Sequence, residues 1–175
     1  MSDNPRMQVR LFNPCVCEDL LDNLRGVFER ACLGLGPLVS QFENEWSEYI
    51  GAKMSVGVNS ATAALHLALT ACHFPRGSKV LIPAITFAST ATAVLYNDLV
   101  PVFVDVDPVT LSMDLNDMER KITQNCVAVI PVHLGGHPVP MENLLEIAKA
   151  HHLAVIEDCA HCAGGYYKGK RLGMW

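Results

Sequence analysis

AVIEDCAHCAGG (Ala154–Gly165) carries an apolar strand straight into two acids, a histidine, two cysteines and paired glycines. A strand leaving a parallel sheet delivers its last side chains to the carboxyl edge, where open α/β folds hold their ligands. Glu157, Asp158 and His161 are therefore read first as a site. Working outward from this stretch, apolar runs at MSVGV (54–58), KVLIPA (79–84), VPVFVDV (100–106) and CVAVIPVH (126–133) read as four earlier strands. They are nearly continuous in apolar residues, the pattern that burial on both faces of a sheet requires.

Helical patterns separate them. SATAALHLALTAC (60–72), FASTATAVLYN (87–97), DLNDMERKI (114–122) and MENLLEIAKAHH (141–152) fall between strands, with Asp114 placed to cap the third. Ahead of them, Glu18 to Cys32 shows apolar residues at helical spacing, GLGP breaks it, and Pro37 opens a second helix that stops at Gly51. The expected fold is α/β: a mostly parallel sheet flanked by helices, with right-handed crossovers. The domain expectation is N-terminal helices over 1–51 and an α/β portion over 52–175.

Composition narrows the function classes. The chain has 175 residues, half of them hydrophobic, and a formal charge of −5 with no block of Lys or Arg. Nucleic acid and membrane surfaces are not expected partners, and small molecules are. The most apolar window is broken by Pro83, Asn97, Asp98 and Pro101, and the first residues lack a leader pattern, so a cytoplasmic protein is expected. Seven irregularly spaced cysteines argue for reduced thiols rather than a disulfide framework.

Three stretches could carry chemistry. In VGVNSATAAL (56–65), Asn59 and Ser60 can cap a helix whose small first residues leave its amides open to an anion such as phosphate. In IEDCAH (156–161), a buried Asp158 could hold a protonated heterocyclic nitrogen, or merely cap a turn. In PAITFAST (83–90), Phe87 could offer a flat face to a planar cofactor, or pack in the core. Candidate metal ligands cluster at Cys159, His161 and Cys162, at Cys15 and Cys17, and at His133 and His137. No two of these clusters share a zinc-like spacing, so no metal site is expected. Gly34 and Gly36 precede Pro37 after a helix and do not make a dinucleotide loop, and no Gly-x-Ser-x-Gly occurs.

Five segments in order, GLGPLVSQFENEWSEYIGAKMSVGVNSATAALHLAL, IPAITFASTATAVL, PVFVDVDPVTLSMD, IPVHLGGHPVPM and VIEDCAHCAGGYYKGKRLG, resemble the DegT/DnrJ/EryC1/StrS family of sugar aminotransferases. The likeness runs from about Leu33 onward. It implies the large domain of the aspartate aminotransferase class, C-terminally truncated, without the small C-terminal domain, and pyridoxal 5'-phosphate as cofactor. By the match, Thr62 and Ala63 give amides to the cofactor phosphate and Phe87 stacks on the ring. Asp158 pairs with the ring nitrogen, and His161 lies beside the ring hydroxyl. The substrates implied are a nucleotide-linked keto-sugar and an amino-acid donor, and the assembly a homodimer or a chain completed by a C-terminal partner.

The family's Schiff-base lysine lies in an SFxxxK-like motif beyond YYKGKRLG, which this sequence does not reach, so Lys168 and Lys170 do not match it and transamination is not expected of the chain as given. The alternatives are a non-catalytic binding or interaction module, half of a split enzyme, and a dehydratase of the same family. A truncated sheet exposes apolar side chains at roughly 1.5 to 3 kcal/mol each, which soon rivals a domain's total of about 5 to 15 kcal/mol. The isolated chain is thus expected to self-associate in light scattering; sharp, reversible monomeric unfolding in calorimetry would contradict this.

Overall fold

The computed structural model describes residues 17–31 and 33–175; Cys15 and Cys32 lie outside the described residues. By its contacts the chain separates into Met1–Gln41 and Phe42–Trp175, a division that falls inside the second helix. The first unit carries α1 (Leu20–Glu29) and the start of α2 (Pro37–Ile50). Gly51, at φ +82°, ends α2 in the left-handed region where glycine is favoured.

The second unit alternates helix and strand: α3 (Ala61–Ala71), β1 (Lys79–Pro83), α4 (Ala88–Tyr96), β2 (Val100–Val104), α5 (Leu115–Lys121), β3 (Cys126–Val129), α6 (Met141–Ala150) and β4 (Ala154–Val155). The sheet order is β2-β1-β3-β4 and every pairing is parallel. A small antiparallel hairpin, β5 (Tyr166–Tyr167) and β6 (Lys170–Arg171), follows. The expected strand at MSVGV does not form: among the described residues Met54–Val58 has no ladder partner. Its polar groups instead reach α2, through Gly57 N–H to Glu43 Oε1 (2.7 Å) and Ser47 Oγ to Ser55 Oγ (2.9 Å).

Alternation along the central strands builds a core on each side of the sheet. Val80 and Ile82 of β1, with Ala128 and Ile130, pack against Leu65, Leu69, Ala93 and Val94 of α3 and α4. Leu81 and Val129 point the other way, onto Met118, Met141, Leu144 and Ala148 of α5 and α6. Each such fully buried side chain contributes roughly 1.5–3 kcal/mol, so this double burial dominates the local energetics. Burial on both faces does not extend to β2, an edge strand whose Val100 and Phe103 are exposed.

Polar side chains fix how α5 meets β2. Asp114 caps α5 by accepting from Asn116 N–H (2.8 Å) and Asp117 N–H (3.3 Å). Asp117, itself buried, accepts from Asp105 N–H at 2.7 Å and pairs with Lys121 (2.6 Å) and Arg120 (3.2 Å). The Asp105 amide first, then Lys121 and Arg120, lower its carboxyl from 3.8 to about 2. A carboxylate with a depressed folded-state pKa adds stability that is present above its unfolded value and lost as pH falls through the folded one. Discounted for its exposed partners, that contribution is on the order of 1–2 kcal/mol. Asp117→Asn should lower stability by this amount in denaturant melts at pH 7. The deficit should fade between about pH 4 and pH 2.

Candidate functional site

The site lies where β3 and β4 end. Strand pairing continues past β4 as an isolated parallel bridge between Val132 and Asp158. Asp158 N–H donates to Pro131 O (2.9 Å), and His133 N–H donates to Asp158 O (3.2 Å). These bonds fix the backbone of Asp158 before its side chain does anything. The carboxylate, in a residue only 6% exposed, accepts from Thr90 Oγ1 at Oδ2 (3.3 Å) and from Ala160 N–H at Oδ1 (3.1 Å). Thr90 is fully buried and bonds onward to Thr86 Oγ1 (2.7 Å). Each carboxylate oxygen keeps a lone pair for a further donor.

A cavity of about 140 Å³ opens beside it, lined by Ala61, Thr62, Thr86, Phe87, Ser89, Val132, Asp158, Ala160 and His161. Four of the five residues singled out in the sequence, Thr62, Phe87, Asp158 and His161, thus share one cavity. Phe87 does not pack in the core: it is the N-cap residue of α4 and its ring is 73% exposed. His161 Nδ1 accepts from Gly135 N–H (3.1 Å). Ala63, the fifth, does not line the cavity; its amide donates to the Ser60 Oγ cap at 3.2 Å. The amides of Ala61 and Thr62 lie ahead of the first helical hydrogen bond, at the positive end of an 11-residue helix.

Sequence reasoning missed Thr86, Ser89 and Thr90. The available signal was three hydroxyls flanking Phe87: Thr86 just ahead of it, and Ser89 and Thr90 in the first turn of α4. Glu157, placed first with the site, turns out to face away from the cavity. It accepts from His133 Nε2 (3.1 Å), Gly173 N–H (2.9 Å) and Trp175 N–H (2.8 Å). Burial works to raise its pKa, but these donors outweigh it and hold the carboxyl below its usual value.

The metal question takes a different form in three dimensions. His161 belongs to the cavity, and it is His133, Cys159 and Cys162 whose donor atoms lie within 4.8 Å of one another. His133 Nδ1 already accepts from Val139 N–H (3.2 Å), so Nε2 carries the proton donated to Glu157. A neutral imidazole has one lone pair, and here it is in use. No lysine lines the cavity. Lys168 pairs with Glu142, and Lys170 lies over the Trp175 ring at 4.8 Å.

Comparison with known proteins agrees with this architecture. The model of the DegT/DnrJ/EryC1/StrS aminotransferase family matches residues 14–175, and the chain belongs to that family. GDP-perosamine synthase of Escherichia coli O157:H7 is 41% identical over 140 residues, covering 80% of this chain and 38% of that protein. Among solved structures, AtS13 from Actinomadura melliaura superposes with a TM-score of 0.89 at 39% identity, covering 94% of this chain and 46% of that one. The PLP-form of the putative sugar aminotransferase Spr1654 from Streptococcus pneumoniae gives 0.84 at 27% identity, covering 90% and 44%. The chain therefore spans less than half the length of these relatives, and its fold is the corresponding part of the aminotransferase large domain.

Proposed function

We propose that the cavity at the ends of β3 and β4 is a pyridoxal 5'-phosphate site, and that the chain supplies the cofactor-binding portion of a sugar aminotransferase. The observation that carries this is the convergence of a buried carboxylate, an exposed aromatic face and a helix N-terminus on one small cavity. A cofactor with an anionic phosphate, a flat ring and a basic ring nitrogen matches those three features in kind. When bound, pyridoxal phosphate supplies an electron sink for carbanion chemistry at an amino-bearing carbon.

The residues of this chain would act as follows. Ala61 and Thr62 donate backbone N–H groups to the phosphate, while the Ala63 amide is held by the Ser60 cap. Phe87 covers one ring face. Asp158, held by Thr90 and Ala160, keeps a proton on the ring nitrogen, because a nearby anion favours the charged form of a base. His161 reaches the polar ring edge. The amine that anchors the cofactor, and the base that moves the substrate proton, come from a lysine outside the cavity lining described here.

The substrates proposed are an amino-acid donor and a nucleotide-linked keto-sugar, a reading supported by family membership and by the GDP-linked sugar in the name of the E. coli relative. A cytoplasmic setting and assembly as a homodimer, or with a chain that completes the domain, belong to the same proposal. Among the described residues no helix is long and apolar enough to cross a membrane.

The test is binding. Pyridoxal phosphate added to the chain should bind reversibly, with a shift in its absorbance band. Asp158→Asn should weaken binding about tenfold or more, since a hydrogen bond to a charged group contributes about 1.5–3 kcal/mol. Equal affinity and an identical spectrum for the variant would overturn the assignment of Asp158.

A further inference from the structure

Two thiols stand beside the cavity and take no part in the function proposed above. Cys159 and Cys162 occupy the ends of a tight turn closed by Cys162 N–H donating to Cys159 O at 3.0 Å, with Ala160 and His161 between them. Turn ends of this kind lie within 7 Å at Cα, inside most of the range that a disulfide spans. The side chains approach each other: the two sulfurs lie within 4.8 Å. The third member of the cluster, His133, is committed to Val139 and Glu157. The remaining described cysteines, Cys17, Cys72 and Cys126, form no such pair.

We propose that Cys159 and Cys162 form a reversible dithiol–disulfide site, oxidised by small disulfides of the glutathione class. One thiol loses its proton and the thiolate attacks a glutathione sulfur, releasing one glutathione thiolate and leaving a mixed disulfide on the protein. The second cysteine, also deprotonated, attacks the protein sulfur of that mixed disulfide and releases the second glutathione thiolate. The two protons end on the two released glutathiones. The protein gives up two electrons and one glutathione disulfide is reduced.

The location gives the bond a consequence. The same turn presents Ala160 N–H to Asp158 Oδ1 and carries His161 into the cavity. Closing the ring around Ala160 and His161 restricts the turn from both ends, so the redox state of the pair bears on the geometry of the cavity. Burial, and the nearby Glu157 and Asp158 carboxylates, hold both thiols protonated. Exchange at neutral pH is accordingly slow, because only the thiolate attacks.

Tryptic cleavage isolates the pair, since no Lys or Arg lies between Lys149 and Lys168. The reduced chain is incubated for hours with glutathione disulfide, blocked with iodoacetamide under denaturing conditions and digested. The Ala150–Lys168 peptide should appear unlabelled and lighter than the reduced form by two hydrogen atoms. Dithiothreitol added before blocking should restore two labelled cysteines. In Cys162→Ser, Cys159 should stop at the glutathione adduct. A doubly labelled peptide after oxidation, a persistent adduct in the unsubstituted chain, or a cross-link to another peptide would each overturn the proposal. The readout needs no cofactor, so it stands apart from the pyridoxal phosphate assignment.

Discussion

The structure of the site depends on one constraint: Asp158 is held in parallel register three residues beyond the end of β4. Its N–H and C=O bond to Pro131 and His133 across the gap to the end of β3. A parallel ladder forces successive side chains to opposite faces, so this register sends Asp158 to the cavity and Glu157 to the other side. A slip of one residue would exchange them, and the cavity would meet a carboxylate tied up by Gly173 and Trp175. Backbone hydrogen bonds thus decide which of two adjacent acids can act on a ligand.

The double-sided core holds that register. β1 and β3 bury residues on both faces, so neither strand can slide without exposing Leu81 or Val80 and their partners. The helices that cover the sheet then bring their own N-termini to its carboxyl edge, because each parallel crossover returns the chain to the same end. Phe87 and Thr90, at the start of α4, arrive at the cavity by this route, whereas α3, which brings Thr62, precedes the first strand. Packing and site placement are two results of one topology.

Polar groups complete the arrangement where the ladder stops. The loops after β3 and β4 carry donors and acceptors that a sheet would otherwise satisfy, and side chains take up several of them. His133 links Val139 to Glu157, His161 accepts from Gly135, and Glu157 gathers the amides of Gly173 and Trp175. Gly164 belongs to the same tightness. Its φ is +75°, and a Cβ there would sit 2.6 Å from the Tyr49 hydroxyl oxygen.

Apolar periodicity and local capping chemistry are short-range signals, and they made the order of helices and the parallel sheet legible in the sequence. The family, and with it Thr62, Phe87, Asp158 and His161 as candidate residues, came from the likeness of five ordered segments. Periodicity misjudged MSVGV, since a strand exists only where another chain segment pairs with it, and that pairing is not local. Tertiary structure alone decided that Glu157 is taken up by His133, Gly173 and Trp175 and that the Ala63 amide is taken by its cap. It also recruited Thr90, which reaches Asp158 across 68 positions of sequence. It regrouped the candidate ligands around His133 and left Cys159 and Cys162 as a facing pair. Contacts between residues distant along the chain arise from sheet register and helix packing, and no spacing in the sequence encodes them directly.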